Sequence, residues 1–342
     1  MIPTILAVDI GGTRFRLALV TDRGEILSRD SAPTLAQEGP AACTARIESA
    51  TRALIARSPA DSPVMVCVGA PGPLDPWAGI IYSPPNLPGW DALPLKSMWE
   101  KALGLPVLVA NDANLAALGE HRFGAGRGCS HLVYMTVSTG IGGGIIANGE
   151  LLLGAKGLAG EIGHTTVSSR GPRCACGNRG CLEALAAGPA IADAGARAAR
   201  SGRSALLLSL TGNFPNGLTS ETVVRAASQH DPASVHILRR AGAFIGMGLA
   251  NIAHIVDPQV IVVGGGVAMG AAALLLDATR AEFRKRVMPP FRGIPIVSAS
   301  LGDDAGLLGA ATLGFDALRG HAGPRATPRL DRLGGPGGGS LP

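Results

Sequence analysis

The sequence predicts an α/β protein of two domains, and three observations predict it. Its 342 residues divide into about two domains at roughly 150 residues each. Apolar runs that read as strands alternate with longer segments that read as helices, the pattern of a layered α/β fold. A strand–turn–strand–turn–strand unit occurs twice, headed by Gly11 and again by Gly140, 129 residues later. That weak repeat points to a duplicated module.

The elements follow in order. Ile5 to Val8 is a short apolar strand ending in Asp9, with Gly11-Gly12-Thr13 as a turn. Phe15 to Val20 and Glu25 to Arg29 are the next strands, joined at Asp22-Arg23-Gly24, a hairpin signal. Ala41 to Ala56 is helical, Val64 to Val68 a strand stopped by Pro71-Gly72-Pro73, and Pro84 to Trp90 a loop. Val107 to Ala110 is a strand, and a helix follows from about Ala113 to His121. The unit restarts with strands at Leu132–Val137, Gly142–Ile146 and Leu151–Leu153. After Gly180 the chain is mainly helical, apart from strands at Val260–Val263 and Ile296–Val297.

Composition excludes several classes. The chain is 46% hydrophobic and 16% charged, unlike a disordered chain. Six cysteines are too few for a disulfide scaffold. The net charge is +5, but four Arg against one Asp in residues 319–342 account for three of these charges. The body has no basic footprint for nucleic acid. The opening residues carry no basic or cleavable leader pattern, and the apolar stretch Pro258–Leu276 is split by Gly264-Gly265-Gly266. A buried strand, a turn and a helix explain that stretch better than a membrane span. The expected compartment is the cytoplasm. From Gly320 onward Gly, Pro, Ala and Arg dominate, and a disordered tail over residues 319–342 is expected.

Six groups of residues could carry chemistry. Asp9-Ile10-Gly11-Gly12-Thr13 lets backbone N–H groups approach an anion, with Asp9 placed to orient a divalent cation. It is equally compatible with a plain hairpin turn. Ser138-Thr139-Gly140-Ile141-Gly142-Gly143-Gly144 repeats that chemistry, and four glycines in a strand are unfavourable unless something approaches closely. Gly264 to Gly266 could pass near a nucleotide, although neither a G-x-G-x-x-G nor a P-loop pattern is present. In Asn111-Asp112-Ala113-Asn114, Asp112 is either a helix cap or a carboxylate at a strand end, able to accept a proton. His164 with Cys174, Cys176 and Cys181 has the composition of a closed zinc site, against buried thiols or a redox pair as alternatives. Glu161 and Glu183 bracket that site, and carboxylates held rigid there suit a polyol. One nitrogen of His164 could bind the metal while the other serves a ligand hydroxyl.

From about Ile5 to Phe315 these motifs, with Pro85-Asn86-Leu87-Pro88-Gly89-Trp90, resemble in order and spacing the ROK (repressor, open reading frame, kinase) proteins. The resemblance implies the actin-like ATPase (ribonuclease H-like) fold, two α/β domains around a cleft. It implies an N-terminal domain of residues 1–111, completed by a helix over 303–318, and a larger domain over 112–302. It implies transfer of the γ-phosphate of ATP to a sugar, with Mg²⁺ and a structural zinc ion. Asp112 then looks like the catalytic base. Asn86, Asn111, Glu161, His164 and Glu183 look like sugar contacts. Gly11, Gly12, Thr13, Thr139 and Gly140 look like phosphate loops, Gly264, Gly265 and Gly266 like the nucleoside side, and Asp9 like the outer-sphere partner of Mg²⁺. His164, Cys174, Cys176 and Cys181 match the zinc ligands. Repressors of the family carry a DNA-binding segment ahead of the first loop, and eight residues before Asp9 favour the kinase branch. Position 14 is Arg where Lys is frequent. No Lys or Arg finger is evident near the motifs. The expected substrate is glucose, with N-acetylmannosamine, N-acetylglucosamine, mannose, allose and fructose as alternatives. A non-catalytic sugar-binding regulator is the alternative from another class. The expected partners are the sugar and further copies of the chain as a homo-oligomer, without nucleic acid or membrane.

Overall fold

The computed structural model describes residues 3–58, 61–212, 214 and 217–320. The first half runs β1 (Thr4–Ile10), β2 (Arg14–Thr21), β3 (Ile26–Pro33), α1 (Pro40–Arg57) and β4 (Pro63–Ala70). A short ribbon, β5 (Leu74–Asp75) and β6 (Ile80–Ile81), leads to α2 (Leu95–Leu103), β7 (Val107–Asn111) and α3 (Asp112–Arg122). The second half runs β8 (Leu132–Val137), β9 (Ile141–Ala147) and β10 (Glu150–Leu151). Helices α4 (Leu182–Ala186), α5 (Gly188–Arg200), α6 (Ala205–Leu210), α7 (Ser220–Ser228) and α8 (Pro232–Val256) follow. Then come β11 (Val260–Gly264), α9 (Gly266–Gly270), α10 (Ala272–Arg286), β12 (Ile296–Ser298) and α11 (Ala305–Leu318).

The two sheets have one plan. Their strand orders are β3-β2-β1-β4-β7 and β10-β9-β8-β11-β12. In each, a three-strand antiparallel meander is extended by two parallel strands. This is the duplicated module expected from the repeat, and the fold is the actin-like ATPase one. The ribbon β5–β6 and helix α2 were not legible in the sequence.

Strands buried on both faces set the layers. Along β1, Leu6 and Val8 face α1 and α2, joining Ile47, Leu54, Leu95 and Trp99. Ile5 and Ala7 face the other way, toward Leu115 and Leu118 of α3 and Leu307 and Leu308 of α11. Tyr134, Val260 and Val262 of the second sheet close the same central layer. The far face of the second sheet, with Val133, Met135, Ile261 and Val263, is covered by α4 to α10.

The central pair α3 and α11 meets without side chains at its crossing. A Cβ on Gly309 would lie 1.7 Å from the Leu115 carbonyl oxygen, and one on Gly119 2.2 Å from that of Ala305. Glu120, fully buried, fastens the junction. Its carboxylate accepts from the N–H groups of Ala125, Ser300 and Leu301 and from the Ser300 hydroxyl, at 2.8–3.1 Å. Helix α11 lies on β1 and β4, and α3 on β8 and β9.

One expectation needs correction. Arg319 belongs to the body rather than to the tail: it pairs with Asp22 and Asp316 at 3.6 Å and stacks on the Phe315 ring. Residues 321–342 lie outside the described residues. The stretch Pro258–Leu276 divides into β11, α9 and the start of α10, and among the described residues no helix is long and apolar enough to cross a membrane.

Candidate active site

Asp112 is the first residue of α3, and it is not the cap. The cap is Asn111, extended at φ −65° and ψ 140°, whose Oδ1 accepts from the N–H groups of Ala113 and Asn114 at 3.0 and 3.2 Å. Asp112 Oδ1 also accepts from the Ala113 N–H, at 2.7 Å. Burial raises the Asp112 carboxyl to about 7, with the nearby charges of Asp9 and Glu161 adding to the shift. A carboxyl at a strand end with a pKa near neutral is poised for proton transfer.

Asp9 faces it from β1. Burial pushes its carboxyl above the ordinary range, and Arg16 opposes that shift. Arg16 is the missed cation. The register of the β1–β2 hairpin places it directly across from Asp9. Its guanidinium lies 3.3 Å from Asp9 and 3.0 Å from Asp303, just ahead of α11. The signal was in the sequence: with Gly11 and Arg14 closing the hairpin around Gly12-Thr13, Asp9 and Arg16 fall opposite each other, so an Arg does stand beside the first motif, held on Asp9.

The first Gly loop closes that hairpin. The Gly11 N–H donates to the Arg14 carbonyl at 3.0 Å, and Thr34 Oγ1 donates to the Gly11 carbonyl at 2.6 Å. Gly12 lies against Asn86: a Cβ there would sit 2.7 Å from the Asn86 carbonyl oxygen. The buried Leu87 and Trp90 anchor that loop, and it brings Asn86 and Thr13 to one rim.

The second Gly loop has a different reason for its glycines. Gly142 and Gly144 admit α3, because a Cβ on either would meet Ala113 or Ala117 at 3.0 or 2.5 Å. Gly143 admits Ile162. The close approach inferred from the sequence is therefore made by protein, at Gly140 as well, where a Cβ would lie 2.7 Å from Glu183 Oε2. Thr139 and Ser138 open onto a cavity of about 670 Å³. Gly188, Pro189, Ala192, Leu218, Glu221 and Val224 form much of its wall, and none of these was read from the sequence. Gly266 lines it as well. Gly264 and Gly265 do not: they are packed on Tyr134 and Thr136, and Gly265 takes φ +91°.

The Cys loop converges as its spacing predicts. One ligand atom from each of His164, Cys174, Cys176 and Cys181 lies within 4.8 Å of the others. An ion bound tetrahedrally by sulfur at about 2.3 Å has neighbouring ligand atoms about 3.8 Å apart. Cys176 and Cys181 sulfurs are 3.7 Å apart, and Cys174 sulfur lies 3.6 Å from His164 Nδ1. The four residues therefore fit a closed tetrahedral ion. Gly180 is needed for the turn, since a Cβ there would lie 1.6 Å from the Ser168 carbonyl oxygen.

The same loop aims the bracketing acids. His164 Nε2 points away from the sulfurs and lies 3.9 Å from Glu161 Oε2. Burial raises the Glu161 carboxyl, His164 opposes this, and Glu183 adds to it. Glu183, in the first turn of α4, accepts the Ile141 N–H at 2.9 Å beside Gly140. Asn111 Nδ2 and Glu161 Oε1 both approach Gly72, lying 3.3 and 3.8 Å from where its Cβ would be. Asp9, Asp112, Glu161, His164 and Glu183 thus form one electrostatic cluster. Asn111 is joined to it at Gly72, and Asn86 stands at the rim.

The chain is similar to several known proteins. A glucokinase of Thermotoga maritima is 36% identical over 310 residues, 90% of this chain and 96% of its own. An N-acetylmannosamine kinase of Shigella flexneri is 35% identical over 91% of this chain and 98% of its own. A ROK family glucokinase from Streptomyces griseus, solved with glucose and AMPPNP, superposes with a TM-score of 0.79 at 36% identity, covering 91% of this chain and 98% of its own. The family model described as "ROK family" matches residues 5–316, and the chain belongs to that family.

Proposed function

We propose that the protein is an ATP-dependent glucokinase that phosphorylates the 6-hydroxyl of glucose. The observation that carries this reading is Asp112: a carboxyl raised to about 7 at a strand end, between a cluster of polar groups and a nucleoside-sized cavity. Asn86, Asn111, Glu161, His164 and Glu183 bind the sugar hydroxyls. Asp112 takes the proton of the attacking hydroxyl, which displaces ADP from the γ-phosphorus in line. The loops at Gly11–Thr13 and Thr139–Gly140 hold the phosphates, and the cavity behind Thr139 takes the nucleoside. Among the described residues that cavity is lined by no Lys or Arg, which suits a nucleoside better than a polyphosphate chain. Mg²⁺, when bound, would neutralise charge on the phosphates. Asp9, held by Arg16, would fit an outer-sphere role toward it, because the Asp9 charge adds to the raised Asp112 carboxyl and a nearby cation would relieve that.

We propose zinc as the tetrahedral ion. With four protein ligands it holds Glu161 and Glu183 in place and has no open position for catalysis. We take residues 1–111 with 303–318 as one domain and 112–302 as the other, since α11 packs on β1 and β4. A homo-oligomer in the cytoplasm completes the reading. Ile255, 84% exposed, and the exposed Met288 are apolar surface that a second copy would cover.

The second reading is an N-acetylmannosamine kinase, favoured by the 35% identity to the Shigella flexneri enzyme. A coupled ADP-release assay over glucose, mannose, allose, fructose, N-acetylglucosamine and N-acetylmannosamine separates the two. The highest kcat/KM is expected with glucose. Turnover only with an N-acetylated sugar supports the second reading, and none with any sugar supports a regulator.

A further inference from the structure

We propose that Asn114 is a positioning residue of the sugar site, acting through one buried water that it shares with Asn111 and Glu161. The inference rests on the sugar-kinase reading. Asn114 lies in the first turn of α3, on the face that packs against the glycines of β9: a Cβ on Gly144 would lie 3.2 Å from Asn114 Cα. Its neighbours on α3, Ala113 and Ala117, are small and apolar, as that packing requires. Asn114 is 2% exposed, yet among the described residues its Oδ1 has no hydrogen-bond partner. An orphaned polar atom on an apolar helix face is strongly disfavoured unless something satisfies it.

The side chain lines a cavity of about 30 Å³ together with Gly72, Asn111, Gly143, Gly160 and Glu161. That volume admits a water and no sugar ring. The hydrogen-bond inventory closes around one molecule. Asn111 has committed its Oδ1 to capping α3, so it presents Nδ2 as a donor. Asn114 Oδ1 and the Glu161 carboxylate are acceptors. A water can accept from Asn111 and donate to the other two, the three bonds usual for a buried water. Asn111 and Glu161 converge at Gly72, whose missing side chain leaves the space open. The water thus ties the residue before Asp112 to the carboxylate held by the Cys loop, and fixes two sugar-binding groups relative to each other.

The test combines a high-resolution crystal structure of the wild type with calorimetric glucose binding and steady-state kinetics for Asn114→Ala and Asn114→Ser. The expected structure has an ordered water within hydrogen-bond reach of Asn114 Oδ1, Asn111 Nδ2 and Glu161. Asn114→Ala is expected to weaken glucose binding roughly tenfold, to leave the KM for ATP within twofold, and to be partly rescued by Asn114→Ser. A dry cavity, a sugar hydroxyl reaching Asn114 directly, or equal losses for both substrates overturns the proposal. Absence of turnover with every sugar would instead fail the kinase reading, and the wild-type structure still decides the water.

Discussion

Helices α3 and α11 occupy equivalent places in the two halves, each following the last strand of its sheet, and each is preceded or opened by acids. Their acids have opposite surroundings. Asp303 and Asp304, ahead of α11, pair with Arg16 and Arg29 at 3.0 and 3.3 Å. Asp112, opening α3, faces Asp9 and Glu161, and its carboxyl rises to about 7. The duplicated fold supplies a helix after the last strand of each sheet, and burial together with neighbouring charge distinguishes their acids: burial is the main cause of the raised Asp112 carboxyl, while the Asp303 side chain is 84% exposed. An acid with a cationic partner tethers a helix to a sheet, while a desolvated acid with other acids nearby becomes a base near neutral pH.

The largest expected effect breaks that contrast at α3. Asp112→Asn should lower kcat by about two orders of magnitude or more, with the KM for sugar nearly unchanged. It should also be the more stable protein at pH 8. A carboxyl whose folded pKa is raised from 3.8 to about 7 binds more protons folded than unfolded between those values. Wild-type stability from this group therefore falls as pH rises through that window and stays low above it. The variant lacks that loss, and thermal melts at pH 5 and pH 8 measure the difference.

A second effect sharpens the contrast between the Cys loop and the phosphate loops. Cys176→Ala should raise the KM for sugar by about 10–100-fold and leave that for ATP nearly unchanged, because Glu161 and Glu183 flank the ligands while Thr13 and Thr139 do not. Elemental analysis should find one zinc per wild-type chain. Equal losses for both substrates, or no metal, would remove the Cys loop from the sugar site.

Smaller effects concern the helix pair itself. Gly309→Ala places a Cβ 1.7 Å from a backbone oxygen, and overpacking of this kind costs about 1–3 kcal/mol, readable in denaturant midpoints. Arg29→Ala removes only an exposed pair with Asp304 and should cost no more than about 1 kcal/mol.

Most of the strand plan and the Cys loop were legible because they rest on local signals: β-branched runs, hairpin turns, and a His and three Cys within a short span. The ligand cavity was not, because Pro189, Leu218 and Val224 come from helices whose placement depends on packing far along the chain. The glycines of β9 were read as room for phosphate, and they are room for Ala113 and Ala117. No local signal says which neighbour will fill a missing side chain. Arg16 was recoverable from the hairpin register, and Asn111 displaced Asp112 as the cap because either residue type suits that position.

The central claim is that Asp112 is poised as a base by its burial, with the charges of Asp9 and Glu161 adding to the shift. Carbon-13 NMR titration of the aspartate carboxyls, with Asp112→Asn identifying the resonance, measures this directly. The account predicts an Asp112 midpoint near pH 7, lost in the variant. A midpoint near the ordinary 3.8 would contradict it.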